Sequence, residues 1–485
     1  MLLGLDIGTA GAHAVAIDES GSVAASASSR YATQSPRPGW TEQDPDDWWR
    51  ATAQVLAAVA RKVHGEIAGL GLTGQRGCVF VDAAGTPVRP AILGSDRRAA
   101  SQAHYISEQI GARRLIEISG SPALPGHQAP AILWLRDVEP VQLRHTRRVL
   151  PAKDYVRLLL TGEAATDAAD AAGTLLLDLR RRRWSDEILD ALEIPIDWLP
   201  KVHQSVEIAG GLRPSLAREL GLTPGLPIAA GASQAAAAAI ATGIVTGGLV
   251  SSSIDAGGVL VAQIDDAVTD PGGRVQTGCA ANPGRYHLMG TTPSAGGSLR
   301  WWREVLGGRL DDAELFAQAE SVTVGADGLF FLPQVDGEGT PLHDAGGAFI
   351  GLRAHHTQAD LTRALMEGVI LSLRDRLDVM RELGVELRQV RATGRAAQSR
   401  LWRQMQADIF AVPLATMAST PDPAVGAALL AGIATGVFAD VPAASATVAR
   451  LDTVLRPDPD RVARYDQVYQ TFRTLDPAIR QPTAR

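Results

Sequence analysis

Two glycine-rich hairpin patterns, one opening each half of the chain, most constrain the fold. In residues 1–18, two apolar runs flank the turn Gly8-Thr9-Ala10-Gly11. In residues 247–264, two further apolar runs flank the turn Asp255-Ala256-Gly257-Gly258. Apolar runs of strand length joined by short glycine-containing turns are typical of β-hairpins. The recurrence of this pattern indicates an internal duplication.

Helical and strand patterns alternate after each hairpin. Apolar residues recur at helical spacing over residues 48–64 in the first half and over residues 361–383 in the second. Strands followed by alternating helices and strands indicate α/β layers. We therefore predict two α/β domains, residues 1–240 and 241–485, with a cleft between them.

Composition narrows the classes of function. The 485 residues are 46% hydrophobic and 20% charged, as in a globular protein, and a net charge of −7 gives no basic face for nucleic acid. The most apolar stretch, residues 228–244, is interrupted by glycine, serine and glutamine, so we expect a packed helix and no membrane partner. Two distant cysteines and an apolar first strand in place of a signal pattern favour the cytoplasm.

A series of motifs, in order along more than 400 residues, carries a resemblance to a known family. The motifs are Asp6-Ile7-Gly8-Thr9, Trp40-Thr41-Glu42-Gln43-Asp44-Pro45, residues 151–163, residues 166–178, Gly337-Glu338-Gly339-Thr340-Pro341, Phe349-Ile350-Gly351-Leu352 and residues 402–409. Together they resemble the FGGY carbohydrate kinases, and among these most closely the xylulokinases.

The resemblance implies two actin-like, ribonuclease H-like domains with ATP and Mg²⁺ in the cleft. It also implies a sugar bound mainly to the N-terminal domain, and homodimers are common in the family. Phosphoryl transfer depends on positioning and electrostatic stabilisation, with a base that accepts the hydroxyl proton. Each of these parts has matching positions in this sequence.

The first hairpin matches the family's phosphate turn. The resemblance places Asp6 near Mg²⁺ and the phosphates, in keeping with the preference of hard cations for oxygen ligands. Gly8 and Thr9 lie in the turn, where backbone N–H groups can hold an anion. His13 follows where the family has a cationic residue. The alternative is that Asp6 only shapes the turn through local hydrogen bonds.

Ser233 occupies the position of the family's general base. A hydroxyl cannot hold a proton at neutral pH, and loss of acid–base catalysis of about 10²- to 10⁴-fold raises the barrier by roughly 3 to 5 kcal/mol. Gln234, the next residue, could orient a sugar hydroxyl or a water molecule but is not a base. The alternative role for Ser233 is an N-cap of the alanine-rich helix that follows.

The nucleotide side departs from the family at two more turns. Asp255 precedes Gly257 where the family has Gly-Thr, and a carboxylate about 4 Å from a phosphate oxygen costs about 4 kcal/mol at a dielectric constant near 20. Arg395 follows Gly394 where a run of glycines lets adenosine approach the backbone. We expect ATP to bind weakly. Asp255 is either a solvated turn residue or, alternatively, a metal ligand or relocated base.

The sugar side keeps some positions and changes others. Gln75 is retained, whereas Arg76 replaces the Met-His pair of xylulokinases and could bind a carboxylate or phosphate in a bidentate manner. Asp96 and Arg98 are retained and can hydrogen-bond sugar hydroxyls. The alternative for Arg76 is a structural or surface role. The ligand is therefore expected to be sugar-like or anionic, and different from plain xylulose.

These changes lead to one main hypothesis and one alternative. The main hypothesis is a xylulokinase-like protein in which ATP-dependent phosphorylation is lost or strongly weakened. Its pocket would serve either a different reaction or ligand binding without turnover. The alternative is an active carbohydrate kinase that phosphorylates a ketose or polyol with relocated catalytic residues.

Overall fold

The computed structural model describes residues 1–335 and 346–479, so the motif Gly337-Glu338-Gly339-Thr340-Pro341 lies outside the described residues. The strands, in chain order, are β1 (Leu2–Ile7), β2 (Gly11–Ile17), β3 (Val23–Arg30), β4 (Glu42–Gln43), β5 (Gly69–Gly74), β6 (Gly77–Val81), β7 (Ala91–Leu93), β8 (Arg148–Leu150), β9 (Ala165–Asp167), β10 (Leu177–Asp178), β11 (Arg183–Trp184), β12 (Lys201–His203), β13 (Ile208–Gly211), β14 (Pro227–Ala229), β15 (Ala232–Ser233), β16 (Leu249–Ile254), β17 (Gly258–Ile264), β18 (Gln276–Cys279), β19 (Tyr286–Thr292), β20 (Phe330–Leu332), β21 (Ala348–Ile350), β22 (Gln389–Thr393), β23 (Leu414–Met417) and β24 (Leu451–Leu455).

The α-helices are α1 (Pro45–Ala60), α2 (Ala100–Ile110), α3 (Ala112–Ser119), α4 (Gln128–Val138), α5 (Pro140–His145), α6 (Ala152–Thr161), α7 (Ala168–Ala172), α8 (Asp186–Leu192), α9 (Pro214–Leu220), α10 (Gln234–Thr242), α11 (Gly296–Val305), α12 (Asp312–Glu320), α13 (Gln358–Glu382), α14 (Arg400–Phe410), α15 (Pro423–Ala434), α16 (Val441–Val448) and α17 (Pro459–Ile479). Three short 3₁₀ helices lie among the described residues, at Ile196–Trp198, Ala326–Gly328 and Arg395–Gln398.

The chain forms two compact units, and the first comprises Met1–Thr246, Gln263–His287 and Pro421–Ala449. Its main sheet has the strand order β13-β14-β5-β1-β2-β3, and β15 also pairs with β5. The predicted first hairpin is confirmed, because β1 and β2 are antiparallel with Ile7 opposite Ala12. β1 is parallel to β5, so both strands end at the same edge of the sheet.

Helix α15, which lies more than 400 residues after β1 in the chain, forms one layer over this sheet. Helix α15 packs closely on β1 and β5, and a Cβ atom on Gly4 or Gly71 would overlap the backbone of this helix. Glycine at both positions is what permits such an approach. Leu2 and Val15 share a hydrophobic cluster with residues of α15.

This packing changes the predicted division of the chain. The sequence predicts domains 1–240 and 241–485, whereas Gln263–His287 and Pro421–Ala449 pack with the first unit. The difference has a physical cause, since an α/β sheet needs a layer to cover its apolar face and α15 provides one. A boundary assigned from local patterns does not include returning segments.

The second unit contains the described residues within Gly247–Ala262, Leu288–Thr420 and Arg450–Arg485. The predicted second hairpin is confirmed, with β16 and β17 antiparallel. β16 is parallel to β22, and β22 is parallel to β23. The long helix predicted over residues 361–383 is observed as α13, and the following strand as β22.

Both cysteines, Cys78 and Cys279, are free and buried. In the described part of the chain, no helix has the length and apolar character needed to cross a lipid bilayer.

Candidate functional site

Three strand ends bring the predicted residues of the first unit together. Gly74, the last residue of β5, lies opposite Ile7 of β1 and opposite Ser233 of β15. In parallel sheets, ligands bind outside the carboxyl ends of the strands. The predicted residues at this sheet edge are Asp6, Gly8, Thr9, Gln75, Arg76, Ser233 and Gln234.

Asp6 is bound by an amide at this edge. The Gln234 Nε2 atom donates to both carboxylate oxygens of Asp6, at 2.9 Å each. The pKa of Asp6 is raised to about 6, mainly by desolvation. The hydrogen bond from Gln234 lowers this pKa, and the negative charge of Asp422 raises it. Gln234 thus contacts the carboxylate of the phosphate turn.

His13, which the sequence places after this turn, is bound on both ring nitrogens. Its Nε2 atom lies 2.9 Å from an Asp422 oxygen, and its Nδ1 atom lies 2.7 Å from the Ser28 hydroxyl. The hydrogen bond with Asp422 raises the pKa of His13. Asp422 also accepts the Ala424 N–H at the start of α15.

Ser233 caps a helix. Its Oγ atom accepts the backbone N–H of Ala236 at 3.4 Å, and α10 begins at Gln234. The predicted N-cap role is confirmed, as expected for serine before a helix.

Gln75 belongs to a buried amide network that the sequence reasoning missed. Its Nε2 atom donates to Gln43 Oε1 at 2.7 Å, and the Trp48 indole donates to the same oxygen at 2.9 Å. Gln43 in turn donates to the Thr9 carbonyl at 2.8 Å. Tyr31 donates its hydroxyl to the Gly8 carbonyl at 2.5 Å. The network fixes the first turn, and the only sequence signal was that Gln43 lies in a family motif.

Asp96 and Arg98 form a buried ion pair. Arg98 Nη2 lies 2.7 Å from Asp96 Oδ2, and both side chains are 1% exposed. Arg98 Nη1 also binds Glu42 at 2.6 Å, and the guanidinium lies over the Trp40 ring. Their predicted contact with sugar hydroxyls stays a prediction, and the burial favours a supporting role.

Arg76 has a different environment. Its side chain is open to solvent, although the surrounding protein lowers the pKa of the guanidinium by desolvation. The charge of Arg76 acts on two buried histidines. Burial, and to a lesser extent the positive charge of Arg76, lowers the pKa of His127 to about 3 and that of His287 to about 4. Both imidazoles are therefore neutral at physiological pH. Neither histidine was singled out from the sequence, because no local motif marks them.

A buried charge cluster lies in the same unit. Lys153 Nζ is 2.6 Å from Asp154, 2.7 Å from Asp167 and 3.2 Å from Asp170. Desolvation raises the pKa of Asp170 to about 7, against the opposing effect of Lys153. A Cβ atom on Gly74 would lie 3.2 Å from Lys153 Cβ, so the cluster begins directly beside the strand edge.

The second unit holds the remaining predicted residues in one region. Asp255 accepts the backbone N–H of Arg395 at 3.0 Å and the Ser253 hydroxyl at 3.1 Å. Its own N–H donates to the Gly257 carbonyl at 2.9 Å, which closes the hairpin turn. Gly394 has a φ angle of +76°, and a Cβ atom there would lie 2.7 Å from an Asp255 oxygen.

A cavity of about 700 Å³ lies beside this turn, within the second unit. Arginine side chains, three acidic side chains and two aromatic rings contribute to its walls: Arg300, Arg303, Arg395, Arg400, Asp255, Asp312, Glu320, Phe316 and Trp402. The Arg395 side chain is 81% exposed and lies 3.9 Å from Asp312.

Comparisons with known proteins agree with this fold. Residues 1–241 match the FGGY family of carbohydrate kinases, N-terminal domain, and residues 253–435 match its C-terminal domain. The chain belongs to the FGGY family of carbohydrate kinases. Among curated relatives it is similar to the xylulose kinase of Lactococcus lactis, with 35% identity over 98% of this chain and 96% of the relative.

Solved structures show the same two-domain, actin-like ATPase fold. A xylulose kinase from Rhodospirillum rubrum is 30% identical, with a TM-score of 0.92 over 98% of both chains. A gluconate kinase from Lactobacillus acidophilus is 26% identical, with a TM-score of 0.94 over 99% of this chain and 98% of the other. The protein is thus a xylulose kinase-like member of the family.

FGGY carbohydrate kinases use ATP and Mg²⁺, and the residues present here fit that pair poorly. A cation at Asp6 would compete with the Gln234 amide for both carboxylate oxygens. The nearby Asp422 is engaged by His13 and by a helix N-terminus. In the second unit, the carboxylate of Asp255 already occupies the Arg395 N–H.

Proposed function

We propose that this protein binds a small polyhydroxylated ligand at the sheet edge of the first unit, and that its ATP-dependent sugar phosphorylation is lost or strongly weakened. The position of Asp255 carries this proposal. The carboxylate accepts a backbone N–H at the Gly394–Arg395 turn. A phosphate placed there would lose that donor and meet a negative charge, at a cost of about 4 kcal/mol for an approach of about 4 Å at a dielectric constant near 20.

The position of the proton acceptor supports the same proposal. Ser233 has no carboxylate and its hydroxyl accepts a helix N–H. Loss of a positioned base reduces the rate by about 10²- to 10⁴-fold. The Asp255 carboxylate would weaken nucleotide binding, and the absence of a base at Ser233 would slow proton transfer. Because these are separate steps, both changes would lower the overall rate.

The ligand class follows from the family and from this chain's own sheet edge. The relatives are named for xylulose, a neutral ketose, and for gluconate, a sugar acid. The ligand of this protein is sugar-like or anionic. The protein either converts it in a different reaction or binds it without turnover, and mass spectrometry of the recovered ligand separates the two cases.

The test is ADP release by the purified full-length protein with Mg·ATP and a panel of ketoses, polyols and sugar acids. The Lactococcus lactis xylulose kinase serves as positive control with D-xylulose. We expect no sugar-dependent ADP release above the background hydrolysis of ATP. Sugar-dependent turnover at ordinary kinase rates of about 1 to 100 per second would refute the proposal.

One observation favours the alternative of an active kinase. Asp6 lies at the sheet edge with a pKa raised to about 6. A carboxylate with such a pKa is well matched to accept a proton near neutral pH. If sugar-dependent turnover is found and Asp6→Ala abolishes it, this alternative replaces the main proposal.

A further inference from the structure

We propose that the ligand of the first unit carries a carboxylate that Arg76 binds, so that the ligand class is polyhydroxy acids such as aldonates. This inference rests on the proposed binding role of the sheet edge. It does not depend on the proposed loss of phosphorylation.

The position of Arg76 points to a ligand contact. It directly follows Gln75, whose backbone N–H donates to the Ile7 carbonyl at 2.8 Å and ties it to the end of β1. Ser233 lies opposite Gly74 at the same edge. Arg76 therefore extends from the place where the three parallel strand ends meet.

The guanidinium of Arg76 is solvent-accessible. Within residues 1–335 and 346–479, no group forms a hydrogen bond or an ion pair with it, and the carboxylate that acts on it is Asp170, at longer range. By contrast, Arg98 is buried and fully engaged with Asp96 and Glu42. A guanidinium whose five N–H donors have no partner among the described residues can bind an external acceptor.

Glycine main chain flanks the Arg76 side chain. A Cβ atom on Gly94 would lie 2.8 Å from Arg76 Cβ, and one on Gly173 would lie 3.4 Å from Arg76 Nε. A Cβ atom at Gly94 would displace the arginine, whereas one at Gly173 would lie at ordinary contact distance from the guanidinium. The absence of Cβ atoms leaves room for the guanidinium and for a ligand beside it.

The charges near Arg76 compensate the guanidinium only in part. His127 and His287 are neutral, and they offer ring nitrogens rather than negative charge. Desolvation lowers the pKa of Arg76 and the charge of the nearby Asp170 raises it, but this carboxylate is already engaged by Lys153 at 3.2 Å. A ligand that brings one negative charge would balance the site.

A carboxylate fits this balance better than a phosphate. The guanidinium fork binds either group in a bidentate manner. A phosphate monoester carries about −1.5 to −2 charges at pH 7, and one guanidinium would leave much of that charge beside Asp170. A carboxylate carries a single charge, equal to that of Arg76.

The experiment measures binding by isothermal titration calorimetry on the full-length protein without nucleotide. The probes are D-xylonate and xylitol, which differ in one carboxylate, with D-gluconate and D-glucitol as a second pair. D-ribose 5-phosphate represents the phosphate source. We expect each acid to bind at least tenfold more tightly than its neutral partner and than the sugar phosphate.

Variants assign the preference to Arg76. Arg76→Gln should remove the preference for the acid while leaving the weak binding of the polyol unchanged, and Arg76→Lys should retain part of it. Arg113→Gln is the matched control, because Arg113 is a 78% exposed arginine of the same unit paired with Glu117. It should bind D-xylonate like the wild type.

Several results would overturn the proposal. Equal or weaker binding of the acids, tighter binding of the sugar phosphate, a preference that persists in Arg76→Gln, or no saturable binding of either acid at millimolar concentration would each do so. If Arg76→Gln is unstable, the affinities of the wild-type protein for the acids, the polyols and the sugar phosphate still test the proposal. Failure of the proposed loss of phosphorylation would appear separately, as sugar-dependent ADP release.

Discussion

The Asp255 carboxylate lies 3.0 Å from the backbone nitrogen of Arg395, and the peptide N–H points at it. The turn at Gly394 therefore already holds an anion, and that anion is part of the protein. Glycine is required at position 394 by the same carboxylate, because a Cβ atom would lie 2.7 Å from its other oxygen. Gly394, which the family resemblance assigns to the nucleotide, here contacts an internal carboxylate.

Removal of this carboxylate should improve nucleotide binding. We predict that Asp255→Gly frees the Arg395 N–H and removes the repulsion, so that Mg·ADP binds at least tenfold more tightly, as measured by calorimetry. Glu304→Gln, a change of an exposed acidic residue on α11 that does not line the cavity, should leave the affinity unchanged. Unchanged affinity in Asp255→Gly would mean that other groups exclude the nucleotide.

Substitutions of Ser233 can separate its role as a helix N-cap from the absence of a general base at this position. Ser233→Ala should lower the free energy of unfolding by about 1 kcal/mol, whereas Ser233→Asp should preserve it, because aspartate caps helices as well as serine does. In the Asp255→Gly background, Ser233→Asp should raise sugar-dependent ADP release by about 10²- to 10⁴-fold. Denaturant titration and a coupled assay measure the two effects, and Ser233→Asn supplies a cap that cannot act as a base.

Asp6 should make stability depend on pH in the acidic range. Its pKa is raised to about 6 in the folded protein, mainly through desolvation, from an ordinary value of 3.8. Below about pH 3 the group is mostly protonated in both states, between about pH 4 and 6 it is ionised mainly in the unfolded state, and above that range it is ionised in both. Stability is therefore lost between pH 4 and 6, by at most about 3 kcal/mol from this group.

Asp6→Asn should remove that loss. Denaturant titrations at several pH values should show the wild type losing stability relative to the variant as the pH rises from 4 to 7. Asp6 interacts with four neighbouring side chains, those of Gln234, His13, Asp422 and Tyr31. The Asp6→Asn variant leaves all four residues unchanged. Asp266→Asn controls for the loss of one surface carboxylate. Parallel pH profiles of Asp6→Asn and the wild type would contradict the assignment.

Local features were predictable because they depend on neighbours in sequence. The hairpins at β1–β2 and β16–β17 follow from apolar runs around glycine turns, and the cap at Ser233 follows from a serine placed before an alanine-rich helix. These features need only short-range geometry. The family motifs then extend the prediction to the two-domain fold.

Contacts between distant residues were not predictable from local patterns. The bond from Gln234 to Asp6 joins residues 228 positions apart, and nothing beside either residue in the sequence identifies its partner. The burial of Asp96 with Arg98 was also not predictable, because the same polar pair could face either a ligand or the protein interior. The proposed roles of these residues toward a ligand remain predictions.

The placement of α15 has a consequence for the order of synthesis. A polypeptide grows at roughly 5 to 20 residues per second, and N-terminal domains usually fold first. Here helix α15, which packs on the opening strands, begins only at Pro423, so most of the second unit is translated in the interval. The sheet whose first strands emerge earliest from the ribosome can therefore be covered by α15 only after most of the chain has been made.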